Sequence, residues 1–157
     1  MIEEKNFYLT REGLKKIKRE YEELKQMKLS KTKGEAPVIL HSEDVNPEYL
    51  ALQEDLGLLD IKLADLEVIL KNAKLIKAPA KTMQDAVGLG ATVMVDTNGR
   101  ENEFTIVGTL EANPSEGKIS NESPVGKILL GKKIGEKVAL PTNGNNYKIK
   151  KISYNIS

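Results

Sequence analysis

The chain has 157 residues, enough for one ordinary domain or two small ones, and 39% of them are hydrophobic, so it can bury a core. Its 24 basic and 23 acidic residues nearly cancel, so the overall charge does not indicate nucleic acid or a membrane as a partner. The absence of cysteine excludes disulfides and thiolate metal sites. No secretory signal pattern opens the sequence and no apolar run reaches membrane length, so we expect a cytoplasmic protein without a membrane partner.

A first helix is predicted after Thr10, whose side chain is suited to cap a helix N-terminus. Phe7 and Leu9 precede this cap and are expected to pack at the base of the helix. Apolar residues then recur at alternating spacings of three and four, which is typical of a helix with one partner. They are Leu14, Ile17, Tyr21 and Leu24. The pattern is lost at Lys28, and Pro37 ends or kinks the helix.

A second helix is predicted from Asn46 to Ala73, where Asn46 can cap the N-terminus and Pro47 suits the first helical position. Its apolar residues keep the same alternation without a break and define a narrow stripe, which we call the seam. The seam residues are Tyr49, Leu52, Leu56, Leu59, Leu63, Leu66, Leu70 and Ala73. Two such helices predict an antiparallel coiled-coil hairpin, with residues 30–45 at its far end.

The remaining sequence changes from helical periodicity to alternation with a period of two. Residues 74–85 contain Pro79 and little periodicity, so we interpret them as a linker, and residues 113–118 as a loop. Asn98-Gly99 is a strong hairpin-turn signal. Ser123-Pro124 predicts a short capped helix that stops at Gly131. Strands are predicted at 91–96, 103–108, 137–140 and 147–152.

These elements predict an α+β chain of two domains. Residues 1–77 would form the N-terminal antiparallel α-helical coiled-coil hairpin. Residues 78–157 would form a small antiparallel β domain with one short helix.

Acidic residues cluster in the connection between the two helices. Glu35, Glu43, Asp44 and Glu48 lie there or beside it, together with the single histidine, His41. One or two carboxylates, with waters and a substrate phosphate, are the usual ligands of Mg²⁺. A solvated, helix-capping loop accounts for the same residues, so both interpretations stay open. One histidine without cysteine forms neither a catalytic triad nor a histidine-rich metal site.

The first helix is rich in basic residues. Lys15, Lys18, Arg19 and, further along, Lys25 can share a face that follows a phosphate backbone. A solvated outer face with charge pairs four residues apart explains the same residues, and we favour that interpretation.

Several segments resemble the bacterial Gre transcript-cleavage factors, and the similarity covers nearly the whole chain. The motif at the base of the first helix is Thr10-x-x-Gly13-x-x-Lys16, and the second helix opens with Asn46-Pro47-Glu48-Tyr49. The most specific similarity lies in the C-terminal half. It consists of Ile106-Val107-Gly108, Ile119-Ser120, Ser123-Pro124-Val125-Gly126, Leu130-Gly131-Lys132 and Gly135-Glu136-Lys137-Val138.

This resemblance implies an FKBP-like C-terminal domain that docks at the rim of the RNA polymerase secondary channel, with Glu122, Ser123 and Pro124 at that contact. The hairpin would enter the channel, where Glu43 and Asp44 help to hold Mg²⁺ in the polymerase active site. Water would then cleave the backtracked nascent RNA and free its 3′ end. The resemblance therefore implies an accessory factor rather than an enzyme, and we expect a monomer that holds no cofactor by itself.

The connection departs from the family pattern, in which an acidic pair is three positions apart. Here Glu43 and Asp44 are adjacent, within His41-Ser42-Glu43-Asp44-Val45-Asn46. Side chains of adjacent residues point apart in most backbones, whereas residues three apart on a helical turn share a face. Two functions therefore stay open: stimulation of cleavage, and occupation of the channel without cleavage, which inhibits or modulates transcription.

A third hypothesis is an isomerase-like or chaperone-like module, based on the domain fold alone. The C-terminal half contains few aromatic residues with which to build an apolar cup for a proline substrate. They are Phe104, Tyr147 and Tyr154.

Overall fold

The computed structural model describes residues 5–33, 47–141 and 144–155, and the chain forms two compact units. The hairpin unit is Lys15–Asn72, and the globular unit combines Met1–Leu14 with Ala73–Ser157. The predicted division at residue 77 thus differs from the division in the structure. The reason is that the globular unit contains a parallel pair of short strands, β1 (Phe7–Leu9) and β2 (Ala73–Leu75).

The hairpin unit is built from two long helices, α1 (Arg11–Lys33) and α2 (Pro47–Lys71). Side chains join the helices at Tyr21–Glu67, Lys28–Asp60 and Lys31–Asp55. As the residue number rises along α1, that of its partner on α2 falls, which confirms the antiparallel arrangement. Within the described ranges, no helix is both long and apolar enough to cross a membrane.

The seam predicted for α2 is confirmed by burial. Leu59, Leu63 and Leu66 are buried, whereas Leu58, just before them, and Ile61, between Leu59 and Leu63, are largely exposed. On α1 the half-buried residues beyond Gly13 continue the same spacing along the whole helix. They are Leu14, Ile17, Tyr21, Leu24, Lys28 and Lys31. Two lysines, Lys28 and Lys31, thus occupy the last two half-buried positions of α1.

Leucine in place of Lys28 is expected to stabilise the hairpin by about 1 kcal/mol, because a half-buried leucine gains more from burial than an exposed ion pair contributes. The helical circular dichroism signal in a urea titration measures this change. Lys18→Leu is the matched control, since Lys18 is exposed on the same helix and should show no such gain. A loss of stability in Lys28→Leu would mean that the Lys28–Asp60 pair outweighs the apolar contact.

The globular unit contains a five-stranded sheet in the order β5-β4-β3-β7-β6. Its strands are β3 (Ala91–Thr97), β4 (Arg100–Val107), β5 (Lys118–Ser120), β6 (Lys137–Ala139) and β7 (Asn146–Tyr154). The pair β4–β5 is parallel and the other pairs are antiparallel, so the sheet is mixed. The four predicted strands pair antiparallel as expected, and the parallel pair involves β5, a strand that was not predicted because it is too short to show a period of two.

Local signals predicted the turn between β3 and β4 correctly. Asn98 and Gly99 both have positive φ, 50° and 82°, the combination that a two-residue hairpin turn of this twist needs. The segment predicted as a linker is partly structured, because it contains the last two residues of β2 and a 3₁₀ turn at Lys81–Met83. The interior of the unit is aliphatic, as its composition suggests: Val93, Ile106, Leu129 and Ile149 are fully buried in one cluster.

Candidate partner-binding site

The segment Glu122-Ser123-Pro124 lies between β5 and a short helix, α3 (Pro124–Leu129). Ser123 caps this helix, because its Oγ accepts a hydrogen bond from the Gly126 N–H at 3.1 Å. The same hydroxyl donates to the Ser120 carbonyl oxygen at 2.7 Å. Pro124 occupies the first helical position, where its missing N–H costs nothing. The predicted capped helix is confirmed, and the Ser123 hydroxyl holds its start through Ser120 before the helix and Gly126 within it.

The Glu122 carboxylate is oriented by two donors from distant parts of the sequence. Its Oε2 accepts hydrogen bonds from the Thr109 hydroxyl at 2.9 Å and from the Lys5 ammonium at 3.2 Å. The Glu122 backbone N–H donates to the Ser120 hydroxyl at 3.1 Å. The side chain nevertheless stays 51% exposed, so the oriented carboxylate remains available to a partner.

The hydrogen bond from Thr109, followed by the bond and positive charge of Lys5, holds the pKa of Glu122 below its ordinary value of 4.5. Because the folded-state pKa is the lower one, this stabilisation is present above the unfolded-state pKa and is lost as the pH falls through the folded-state pKa. An NMR titration of the side-chain carboxyl should therefore give a midpoint below 4.5. Thr109→Ala and Lys5→Ala should each raise that midpoint, because each removes a donor that stabilises the charged form. An unchanged midpoint in either variant would contradict the contribution of that donor.

Apolar groups flank this carboxylate. Tyr8 on β1 is 40% exposed, and Leu110, next to Thr109, is 46% exposed. Together with Lys5, Thr109 and Glu122 they line one small cleft, and we call these five residues the Glu122 surface. An acid beside exposed apolar side chains suits a partner that offers a cation or an amide next to an apolar group.

Sequence reasoning identified Glu122, with its neighbours Ser123 and Pro124, but missed the other four residues of the Glu122 surface. Lys5 and Glu122 are 117 positions apart, and no local periodicity connects them. The Ile106-Val107-Gly108 motif, which ends one residue before Thr109, is the one signal in the sequence that lies close to them.

The predicted metal-supporting acids, Glu43 and Asp44, lie outside the described residues, as do Glu35 and His41. Glu48 is described and is exposed in the first turn of α2. Within the part of the chain that the structure describes, no group of three or more His, Asp or Glu residues is arranged to hold a metal ion. The role of Glu43 and Asp44 therefore stays a prediction.

The predicted nucleic-acid-facing residues are all exposed on α1: Lys15, Lys18, Arg19 and Lys25. The Lys25 ammonium lies 5.1 Å from the centre of the Tyr21 ring and 4.0 Å from the Glu22 carboxylate. None of the other three forms an ion pair with another residue in the described ranges. Their spacing gives one helix face that also contains Glu22, so the face is basic but not purely so.

Comparisons with known proteins cover both halves of the chain. The family described as "Transcription elongation factor, N-terminal" matches residues 7–75, and "Transcription elongation factor, GreA/GreB, C-term" matches residues 81–154. The chain is 40% identical to transcription elongation factor GreA of Bacillus subtilis, covering 96% of this chain and 97% of that protein. It is 39% identical to GreA of Clostridium acetobutylicum, covering 95% and 98%.

Among solved structures, it is similar to the GreA factor homolog 1 (Gfh1) protein of Thermus thermophilus. The sequences are 24% identical, the match covers 95% of this chain and 99% of that one, and the TM-score is 0.42. The two family matches together span most of the chain, and the curated relatives match it almost from end to end. The chain therefore belongs to the GreA/GreB family of transcription elongation factors.

Proposed function

We propose that this chain binds RNA polymerase at the secondary channel and stimulates cleavage of backtracked nascent RNA through Glu43 and Asp44. It acts in the cytoplasm as a monomer and as an accessory factor, because the polymerase supplies the rest of the catalytic machinery. The Glu122 surface docks on the polymerase, and the hairpin carries the two acids to the RNA 3′ end.

The observation that carries this proposal is the antiparallel pairing of α1 and α2. Because the helices are antiparallel, Lys33 at the end of α1 and Pro47 at the start of α2 lie at the end of the hairpin opposite Lys15 and Asn72. The 25 residues of α2 correspond to a helix about 37 Å long. Acids at the end of such a hairpin can reach a reaction centre that the rest of the protein does not touch.

The two carboxylates provide the chemistry that an active-site Mg²⁺ needs. Hard oxygen ligands suit this ion, but two exposed acids do not dehydrate it, so Glu43 and Asp44 would hold Mg²⁺ only together with polymerase and RNA phosphate oxygens. When bound there, the ion would supply the positive charge that lowers the pKa of a water and offsets the charge of the phosphate under attack. Lys15, Lys18, Arg19 and Lys25 favour nearby nucleic-acid phosphates, which they attract electrostatically.

A second function is favoured by one observation, the adjacency of Glu43 and Asp44. If the backbone directs the two side chains apart, one acid alone faces the metal, and the protein then occupies the channel without cleavage. The isomerase-like hypothesis has no such support, because the few aromatic residues of this half, Phe104, Tyr147 and Tyr154, pack in or against the aliphatic core.

The test uses a stalled, backtracked elongation complex of the cognate polymerase with labelled RNA and Mg²⁺. Wild-type protein should release short 3′ fragments faster than the complex alone. Ser123→Ala and Pro124→Ala should raise the protein concentration needed for half of this effect. Binding without faster cleavage would refute the proposed stimulation and leave channel occupation as the function.

A further inference from the structure

The first turn of α1 is capped by a carboxylate from a distant part of the chain. Glu111 Oε2 accepts a hydrogen bond from the Thr10 N–H at 2.8 Å, and Glu111 Oε1 accepts one from the Thr10 hydroxyl at 2.6 Å. The Thr10 hydroxyl in turn accepts a hydrogen bond from the Gly13 N–H at 3.1 Å. We call these three residues the Glu111 cap. It satisfies donors that a helix N-terminus otherwise leaves free, and its negative charge suits that end of the helix.

The cap requires glycine at position 13. Gly13 is buried, and a Cβ there would overlap the Glu111 carboxylate. The Thr10-x-x-Gly13 motif thus has a physical explanation: the threonine provides the hydroxyl, and the glycine leaves space for the acid. The two residues are 101 and 98 positions from Glu111, so the sequence alone does not reveal their partner.

Glu111 belongs to the same short turn as Thr109, the residue that orients the Glu122 carboxylate. Thr109 and Glu111 are the ends of the 3₁₀ turn Thr109–Glu111, and Thr109 donates to Glu122. One end of the turn therefore contacts the Glu122 surface, and the other end caps α1. All of these residues belong to the globular unit, from which α1 continues into the hairpin unit.

We propose that Glu111 is a positioning residue: it keeps the first turn of α1 helical, so that docking through the Glu122 surface delivers the acids at the other end of the hairpin efficiently. This proposal rests on the proposed function. If the first turn of α1 frays, its backbone dihedral angles can rotate, which adds conformational freedom between the Glu122 surface and the acids Glu43 and Asp44. Such freedom lowers the effective concentration of the acids at the reaction centre without removing a docking contact.

Four variants test the proposal: Glu111→Ala, Glu111→Gln, Gly13→Ala and the double variant Gly13→Ala/Glu111→Ala. Glu116→Ala is the matched control, because Glu116 is an exposed acid in the next 3₁₀ turn and lies 3.8 Å from Lys118. Each protein is measured by amide hydrogen exchange in the free state. Each is then titrated into the backtracked complex, so that the maximal cleavage rate and the half-saturating concentration are obtained separately.

Glu111→Ala should speed exchange of the Thr10 and Gly13 amides by about fivefold or more, the size expected for a lost helix cap. It should lower the maximal cleavage rate severalfold and leave the half-saturating concentration nearly unchanged. Glu111→Gln keeps one carbonyl oxygen as acceptor and should recover part of the rate. Gly13→Ala alone should also lower the maximal cleavage rate. In the Glu111→Ala background the same substitution should lower this rate less, because the carboxylate that its Cβ would overlap is gone.

Unchanged exchange at Thr10 and Gly13 in Glu111→Ala would overturn the cap. Faster exchange with an unchanged maximal rate would overturn the positioning role. If Glu111→Ala does not fold, Glu111→Gln and Gly13→Ala decide by the same criteria. A wild-type protein that gives no cleavage refutes the proposed function instead, and the exchange results still decide whether the cap exists.

Discussion

Alanine in place of Glu43 or Asp44 is expected to abolish cleavage stimulation and to leave polymerase binding unchanged. Loss of one carboxylate that stabilises transition-state charge should lower the maximal rate by about 100-fold, on the order of 3 kcal/mol. Docking is predicted to depend on Glu122, Ser123 and Pro124, so the half-saturating concentration should not move. Labelled RNA in a stalled, backtracked complex reports both quantities.

The adjacency of the two acids makes the single variants informative. If both carboxylates support the metal, each alanine variant is inactive, and excess Mg²⁺ restores part of the activity. If only one faces the metal, its alanine variant alone is inactive. Glu43→Gln and Asp44→Asn keep the size of each side chain, so they separate loss of charge from loss of shape.

Glu35→Ala is the matched control, because Glu35 is an acid of the same connection that has no predicted role at the metal. It should retain full stimulation. An equal loss in Glu35→Ala would contradict the assignment, since it would show that the total negative charge of the connection matters rather than Glu43 and Asp44.

Gly126→Ala is expected to destabilise the globular unit by about 2 kcal/mol and to weaken docking on the polymerase. A Cβ at this position would overlap the Ser120 carbonyl oxygen, which is backbone and cannot move aside as a side chain can. That carbonyl also accepts the Ser123 hydroxyl, and Ser123 caps α3. The disturbance should therefore spread to the predicted docking segment.

Gly57→Ala is the matched control for this change. Gly57 lies within α2, and a Cβ there would meet nothing within 4 Å beyond the adjacent backbone of its own helix, so alanine should stabilise the helix by about 1 kcal/mol. Chemical denaturation followed by circular dichroism measures both variants. Equal stability of Gly126→Ala and the wild-type protein would contradict the close approach of Ser120 to Gly126.

Much of the fold could be predicted from the sequence because its signals are local. The seam of α2 needs only the alternation of three and four, and burial of Leu59, Leu63 and Leu66 confirmed it. The Asn98-Gly99 turn and the Ser123-Pro124 helix start depend on the backbone preferences of two residues each. The resemblance to the Gre factors, carried by such motifs, was also confirmed by the family matches.

The candidate site was predictable only in part, for the same physical reason. The family, the paired helices and the candidate segment Glu122–Pro124 were predictable from the sequence, since each is encoded by neighbouring residues. The β1–β2 pair and the donors of Glu122 depend on the tertiary structure. A three-residue strand is too short to show a period of two, and its pairing depends on contacts that the whole fold creates.

The Glu111 cap shows the same distinction within a single motif. Thr10 precedes the apolar pattern of α1 and suits an N-cap, so a helix start was predicted there from local signals. The acidic partner of Thr10 is 101 positions away, and any exposed glutamate of the C-terminal half would look equally suitable in the sequence. Only the fold, by bringing the Thr109–Glu111 turn against the first turn of α1, determined which acid caps the helix.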